Sequence, residues 1–149
     1  MNKENYIKWS LSLTFAGFLF AGYLSMTKLL SETCAFNESC PYFLGYPACY
    51  FGFAMFSIMF VASILALLES VSQKVLLKTN LVVSTLGILF AGYFGLQEIL
   101  VWVKEGQIIL YTLGLPTCVY GFIFYVIIFF ISLRVMLLSK EEVIPSTEN

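Results

Sequence analysis

The chain contains no histidine and no aspartate, and only 11% of its 149 residues are charged. Without histidine, the commonest ligand of zinc and haem is missing, and so is the usual base of nucleophilic hydrolysis. No metal is expected. No acidic or basic residue lies deep in an apolar run, as a proton-coupled pump or ion transporter would normally require. Lys28 and Glu98 fall near run ends, where long side chains reach water. The sequence has neither a glycine-rich phosphate loop nor a basic cluster, so nucleotides and nucleic acids are not expected partners. An Asn-Glu-Ser triplet at Asn37 matches the glycosylation pattern but lies inside a tight cysteine loop, and we read it as coincidence.

What the chain does have is apolar sequence: 60% hydrophobic residues and a mean hydropathy of +0.89. About a quarter of a soluble domain is charged. A soluble fold of this size could not cover itself with the polar residues present. Four apolar runs stand out, at roughly 10–30, 47–68, 82–103 and 116–138. Each is long enough to cross a hydrocarbon layer about 30 Å thick as helix. The first continues to Leu30 with no small-residue cleavage motif after it, and reads as a membrane anchor rather than a cleavable signal. Short polar connections are expected at 69–80 and 104–114. The expected fold is all-α: a polytopic four-helix transmembrane bundle, one domain over residues 1–149.

Basic residues set the orientation. Lys3, Lys8, Lys74, Lys78, Arg134 and Lys140 flank one side, against Lys28 and Lys104 on the other. The positive-inside rule then places both termini in the cytoplasm.

The chain also repeats itself. YFLGYPACYFGF at 42–53 and YTLGLPTCVYGF at 111–122 share seven of twelve positions, and LFAGY occurs at both Leu19 and Leu89. The offset is 70 residues at LFAGY and 69 at the cysteines, so two helix pairs, about 10–68 and 80–138, are expected as a parallel repeat. Pro47 and Pro116 suit a first helical turn, with Gly45 and Gly114 easing the entry. Two glycine pairs, Gly22 with Gly92 and Gly52 with Gly121, read as patches where neighbouring helices approach.

All four cysteines, Cys34, Cys40, Cys49 and Cys118, are expected at the exterior end, which faces an oxidising space in a bacterial plasma membrane, the setting expected here, or in an endoplasmic reticulum membrane. Cys34 and Cys40 flank five residues that include the turn-formers Asn37, Glu38 and Ser39. Cys49 and Cys118 are repeat equivalents, each two residues past its proline, at helix starts that favour a thiolate. Three readings are open: static staples, an exchanging redox pair, or small buried residues at 49 and 118.

The block from Tyr23 to Phe56 resembles the first half of the vitamin K epoxide reductase family of membrane thiol oxidoreductases. The resemblance lies in a Tyr-Leu helix end, cysteines six apart, a Gly-x-Pro entry and a glycine five residues after that proline. It implies a four-helix bundle that passes electrons from a partner's thiols, through the loop pair Cys34 and Cys40, to a CxxC and on to a quinone. An extracytoplasmic thioredoxin-like protein is the partner this suggests. Cys118 matches the first cysteine of that CxxC; the second position is Gly121, which leaves Cys49 as replacement partner. Aromatic residues near the cysteines, Tyr42, Tyr50, Tyr111 and Tyr120, are candidate quinone contacts, and they also suit an interfacial aromatic belt. Two non-enzymatic functions are alternatives: a disulfide-stapled scaffold or assembly subunit, and a small-solute or lipid carrier.

Overall fold

A computed structural model describes residues 3–31, 41–105 and 117–141. Four helices carry the fold: α1 (Lys3–Ser31), α2 (Ala48–Leu67), α3 (Gln73–Glu105) and α4 (Thr117–Glu141). All four are long and apolar enough to cross a membrane, and they pack against one another as a multi-pass bundle. The shortest, α2, has 20 residues, about 30 Å of helix at 1.5 Å per residue. Neighbours run α1–α2–α3–α4 and back to α1, so α1 faces α3, and α2 faces α4, across the diagonals.

Between α1 and α2 a minimal hairpin pairs β1 (Tyr42–Phe43) with β2 (Tyr46–Pro47). Leu44 and Gly45 form its two-residue loop with φ of 52° and 86°. Positive φ at both central positions matches the right-handed strand twist, and glycine takes it without a Cβ clash. Pro47 is the N-cap of α2, one residue ahead of the first turn expected for it, and the Ala48 amide donates to the Pro41 carbonyl at 2.9 Å. Gly114 and Pro116 lie outside the described residues.

The connection between α2 and α3 is shorter than the sequence suggests. Glu69 adopts φ 57°, its amide donating to the Ala66 carbonyl and that of Ser70 to the Leu65 carbonyl. This pairing closes the open carbonyls of a helix end. The Ser72 carbonyl then accepts from the Val75 and Leu76 amides, opening α3. Residues 73–80, expected in a polar loop, are therefore helix. Lys74 and Lys78 point outward while Leu76, Leu77 and Asn80 are buried. One polar-looking stretch is in fact a helix with one face in the bundle.

The repeat is structural as well as textual. Exposure coincides position by position between 11–22 and 81–92, offset 70, and between 51–67 and 120–136, offset 69. Close approaches repeat too. A Cβ at Gly17 would lie 2.2 Å from the Phe56 ring, and one at Gly87 would lie 2.5 Å from that of Tyr125. At Gly22 and Gly92 the equivalent distances are 3.2 Å to Phe53 and 3.3 Å to Phe122. Two contacts join a residue to its own repeat equivalent. Phe56 stacks on Tyr125 across one diagonal, and Asn80 donates to Ser10 Oγ at 2.7 Å across the other. The bundle's pseudo-two-fold axis runs between these pairs.

Three layers are stacked along that axis. Tyr6, Ile7, Ala66, Leu76, Leu77 and Val135 fill the end at which α1 begins and α4 ends. Ala21, Phe56, Met59, Ala91, Tyr125 and Ile128 fill the middle. Ser10, Thr14, Ser63, Asn80, Ser84 and Ser132, all buried, form a polar layer between them.

Candidate functional site

At the opposite end, which bears the hairpin, Cys49 is the second residue of α2 and Cys118 the second of α4. Both are half-buried and carry thiols. Cys34 and Cys40 lie outside the described residues, as does Tyr111.

Helix spacing relates the two cysteine positions to the central ring pair, while the Cys49 side chain itself hydrogen-bonds to Ser25 of α1. Seven residues of α-helix advance about 700°, within about 20° of two full turns. Cys49 precedes Phe56 by seven residues, and Cys118 precedes Tyr125 by the same number. Phe56 and Tyr125 stack on the axis, and each cysteine lies on the helix face of its ring, about 10 Å further toward the hairpin end. One face carries Cys49, Gly52 and Phe56, and the other Cys118, Gly121 and Tyr125.

Gly52 and Gly121 do not serve as the packing patches expected of them. A Cβ at either would meet nothing within 4 Å. Both are half-buried and stand about one turn beyond the Phe56–Tyr125 stack, toward the hairpin end. The Tyr125 hydroxyl donates to the Gly52 carbonyl at 3.3 Å, placing a phenol beside that glycine.

Aromatic rings close the seams around this end. Phe20 of α1 meets Tyr120 of α4 at 6.1 Å between centroids, and the repeat-equivalent Phe90 of α3 meets Phe51 of α2 at 5.6 Å. Phe43 of the hairpin stands edge-on to Phe51 and Phe90 at 5.3 and 5.4 Å. Each cysteine is also held against the first helix of its own repeat. Ser25 Oγ donates to the Cys49 carbonyl at 3.2 Å; at the equivalent crossing, Gly95 lets α3 approach the backbone of Cys118 and Val119.

The candidate tyrosines divide by position. Tyr120 is half-buried in the α1–α4 seam, on a different face from Cys118, because residues two apart on a helix point to nearly opposite sides. Tyr50 is half-buried, and Tyr42 is exposed beneath the Lys28 ammonium, 5.8 Å from its ring centre. Tyr125, which the sequence reading did not single out, carries the phenol on Cys118's own face. Its seven-residue spacing from Cys118 was the available signal. Among the described residues, no cluster of three or more potential metal ligands exists.

No family model, curated protein or solved structure matches the chain.

Proposed function

We propose that the chain is a membrane thiol–disulfide oxidoreductase that passes electrons from thiols at the hairpin end toward a quinone. One observation carries this reading: Cys49 and Cys118 share the helix faces of Phe56 and Tyr125, and between each cysteine and its ring stands a glycine, Gly52 or Gly121, where an added Cβ would meet nothing within 4 Å. A second cysteine from the other repeat can thus take the place that Gly121 leaves empty in the CxxC pattern.

In this mechanism a dithiol of an extracytoplasmic thioredoxin-like partner reduces a Cys34–Cys40 disulfide and is itself oxidised. A thiolate of the loop pair attacks the Cys49–Cys118 disulfide, forms a mixed disulfide and expels one helix thiolate, which takes up a proton. The second loop thiol resolves the mixed disulfide. Cys34–Cys40 is re-formed, and Cys49 and Cys118 are left as thiols.

The open space beside Gly52 and Gly121 suits a flat apolar ring: Phe20, Phe51, Phe90 and Tyr120 close its surroundings, and the Tyr125 hydroxyl lies at its edge. A quinone bound there supplies an acceptor for two electrons and two protons. Phe56 and Tyr125 floor the space and hold the thiols clear of the polar layer. A bacterial plasma membrane, both termini cytoplasmic, is the setting this chemistry fits.

The scaffold reading draws support from the polar layer, which ties the helices together without any redox chemistry. The carrier reading draws less, because the Phe56–Tyr125 stack plugs the axis at mid-bundle. Anaerobic mixing of oxidised protein with dithiol and quinone, followed by quinone absorbance, separates the readings. Turnover that is lost in Cys118→Ser supports the oxidoreductase. No turnover in the wild type leaves the scaffold.

A further inference from the structure

The polar layer carries an inference independent of the cysteines. Asn80 is fully buried, and its Nδ2 donates to the Tyr6 hydroxyl at 3.0 Å and to Ser10 Oγ at 2.7 Å. Its Oδ1 has no hydrogen-bond partner. A buried carbonyl oxygen without a donor is costly, more so in a bundle with no water at its lipid-facing surface.

The proton ledger around Asn80 is nearly closed. Ser63 donates to the Met59 carbonyl, which makes Ser10 the donor in the 3.0 Å Ser10–Ser63 bond. Thr14 donates to the Ser10 carbonyl and Ser84 to the Asn80 carbonyl. Tyr6 and Ser132 share a single bond of 2.9 Å, yet bring two hydroxyl protons to it. One donor is therefore left over from that pair, and one acceptor is left over at Asn80 Oδ1. Reversing the Asn80 amide does not remove the imbalance, because it would strand the two N–H groups instead.

We propose that the pseudo-axis at Asn80 is a sealed hydration site holding one water molecule. This water accepts the spare proton of the Tyr6–Ser132 pair and donates to Asn80 Oδ1. A water is the smallest species that both donates and accepts, and buried waters characteristically join otherwise unsatisfied groups. The site is sealed from bulk solvent, since Tyr6, Thr14, Ser63, Asn80, Ser84 and Ser132 are each 0% exposed. The surroundings disfavour a cation, because every side chain of the layer is neutral. The direct bonds join α1 to α2, α3 and α4, and the water adds the missing link between α3 and α4.

Water-edited solid-state NMR of the full chain in lipid bilayers tests this, with the Asn80 side-chain amide isotopically labelled. The expected result is transfer from water to that amide, reduced severalfold in Ser132→Ala, which removes one of the water's partners but leaves Asn80 in place. A crystal structure from lipid, at a resolution that shows waters, should place one oxygen at about 2.7–3.2 Å from Asn80 Oδ1. Absent transfer, a dry site with Oδ1 rotated onto another hydroxyl, or a cation bound by several oxygens at about 2.4 Å would each overturn the proposal.

Discussion

Phe56 and Tyr125 stack with ring centroids 4.5 Å apart and planes inclined by 13°, and each ring lies against a glycine of its own repeat, Gly17 or Gly87. The two rings brace each other, so neither can move aside for an added methyl group. Gly17→Ala and Gly87→Ala should each destabilise the bundle by about 1–3 kcal/mol, the usual cost of overpacking. Gly52→Ala and Gly121→Ala should be neutral or stabilise by up to about 1 kcal/mol, because a Cβ there meets nothing and helix propensity improves. Thermal unfolding of the four variants in one detergent checks the contrast.

Those glycines show which parts of the fold were legible in the sequence. The four helices follow from apolar length, and the parallel repeat from LFAGY and the Gly-x-Pro-x-Cys phrases. Helix rotation was not readable: lipid is as apolar as the bundle core, so no amphipathic stripe marks the inner face. Gly22 and Gly52 therefore looked alike, although one packs against Phe53 and the other borders open space. Asn80 was hidden differently. It closes the stretch Lys78-Thr79-Asn80, which reads as a loop, and only the offset of 70 aligns it with Ser10 inside a helix. The cysteines were legible as a set, but their facing had to wait for the Phe56–Tyr125 contact.

The polar layer should behave as a coupled unit. Transmembrane hydrogen bonds average about 0.6 kcal/mol and reach about 1.7 kcal/mol. Tyr6→Phe, which removes the bonds to Ser132 and Asn80, should cost about 1 kcal/mol. Asn80→Ala should cost about 2 kcal/mol, because it also opens a cavity on the axis. The double variant should cost less than the sum, since the two residues share a bond. Unfolding of wild type, both single variants and the double variant completes the cycle.

Tyr125→Phe should be mild by comparison. It keeps the stack and loses only a 3.3 Å bond to the Gly52 carbonyl, and Phe56 already fills the equivalent position. A stability loss below about 1 kcal/mol is expected. If the phenol contacts a quinone, the same variant should raise the quinone KM in the turnover assay while leaving the melting temperature nearly unchanged.

Topology can be read from two exposed sites at opposite ends of the bundle, Leu44 in the hairpin and Ser70 in the α2–α3 turn. In a background with the native cysteines replaced by serine, Leu44→Cys should react with an impermeant maleimide added outside intact cells. Ser70→Cys should react only after permeabilisation. The reverse pattern would put the cysteine end in the cytoplasm and remove the compartment argument for exchange.

The most direct measurement concerns Cys49 and Cys118 alone. Full-length protein carrying Cys34→Ser and Cys40→Ser, in lipid, is treated with a mild oxidant, and its non-reduced peptides are mapped by mass. The placement of the two cysteines on the helix faces of the stacked rings predicts a disulfide joining the Cys49 and Cys118 peptides within one chain, reversible by dithiol. If both thiols instead stay open to alkylation, or are oxidised only between separate chains, the two helix faces do not meet and the exchange pair does not exist.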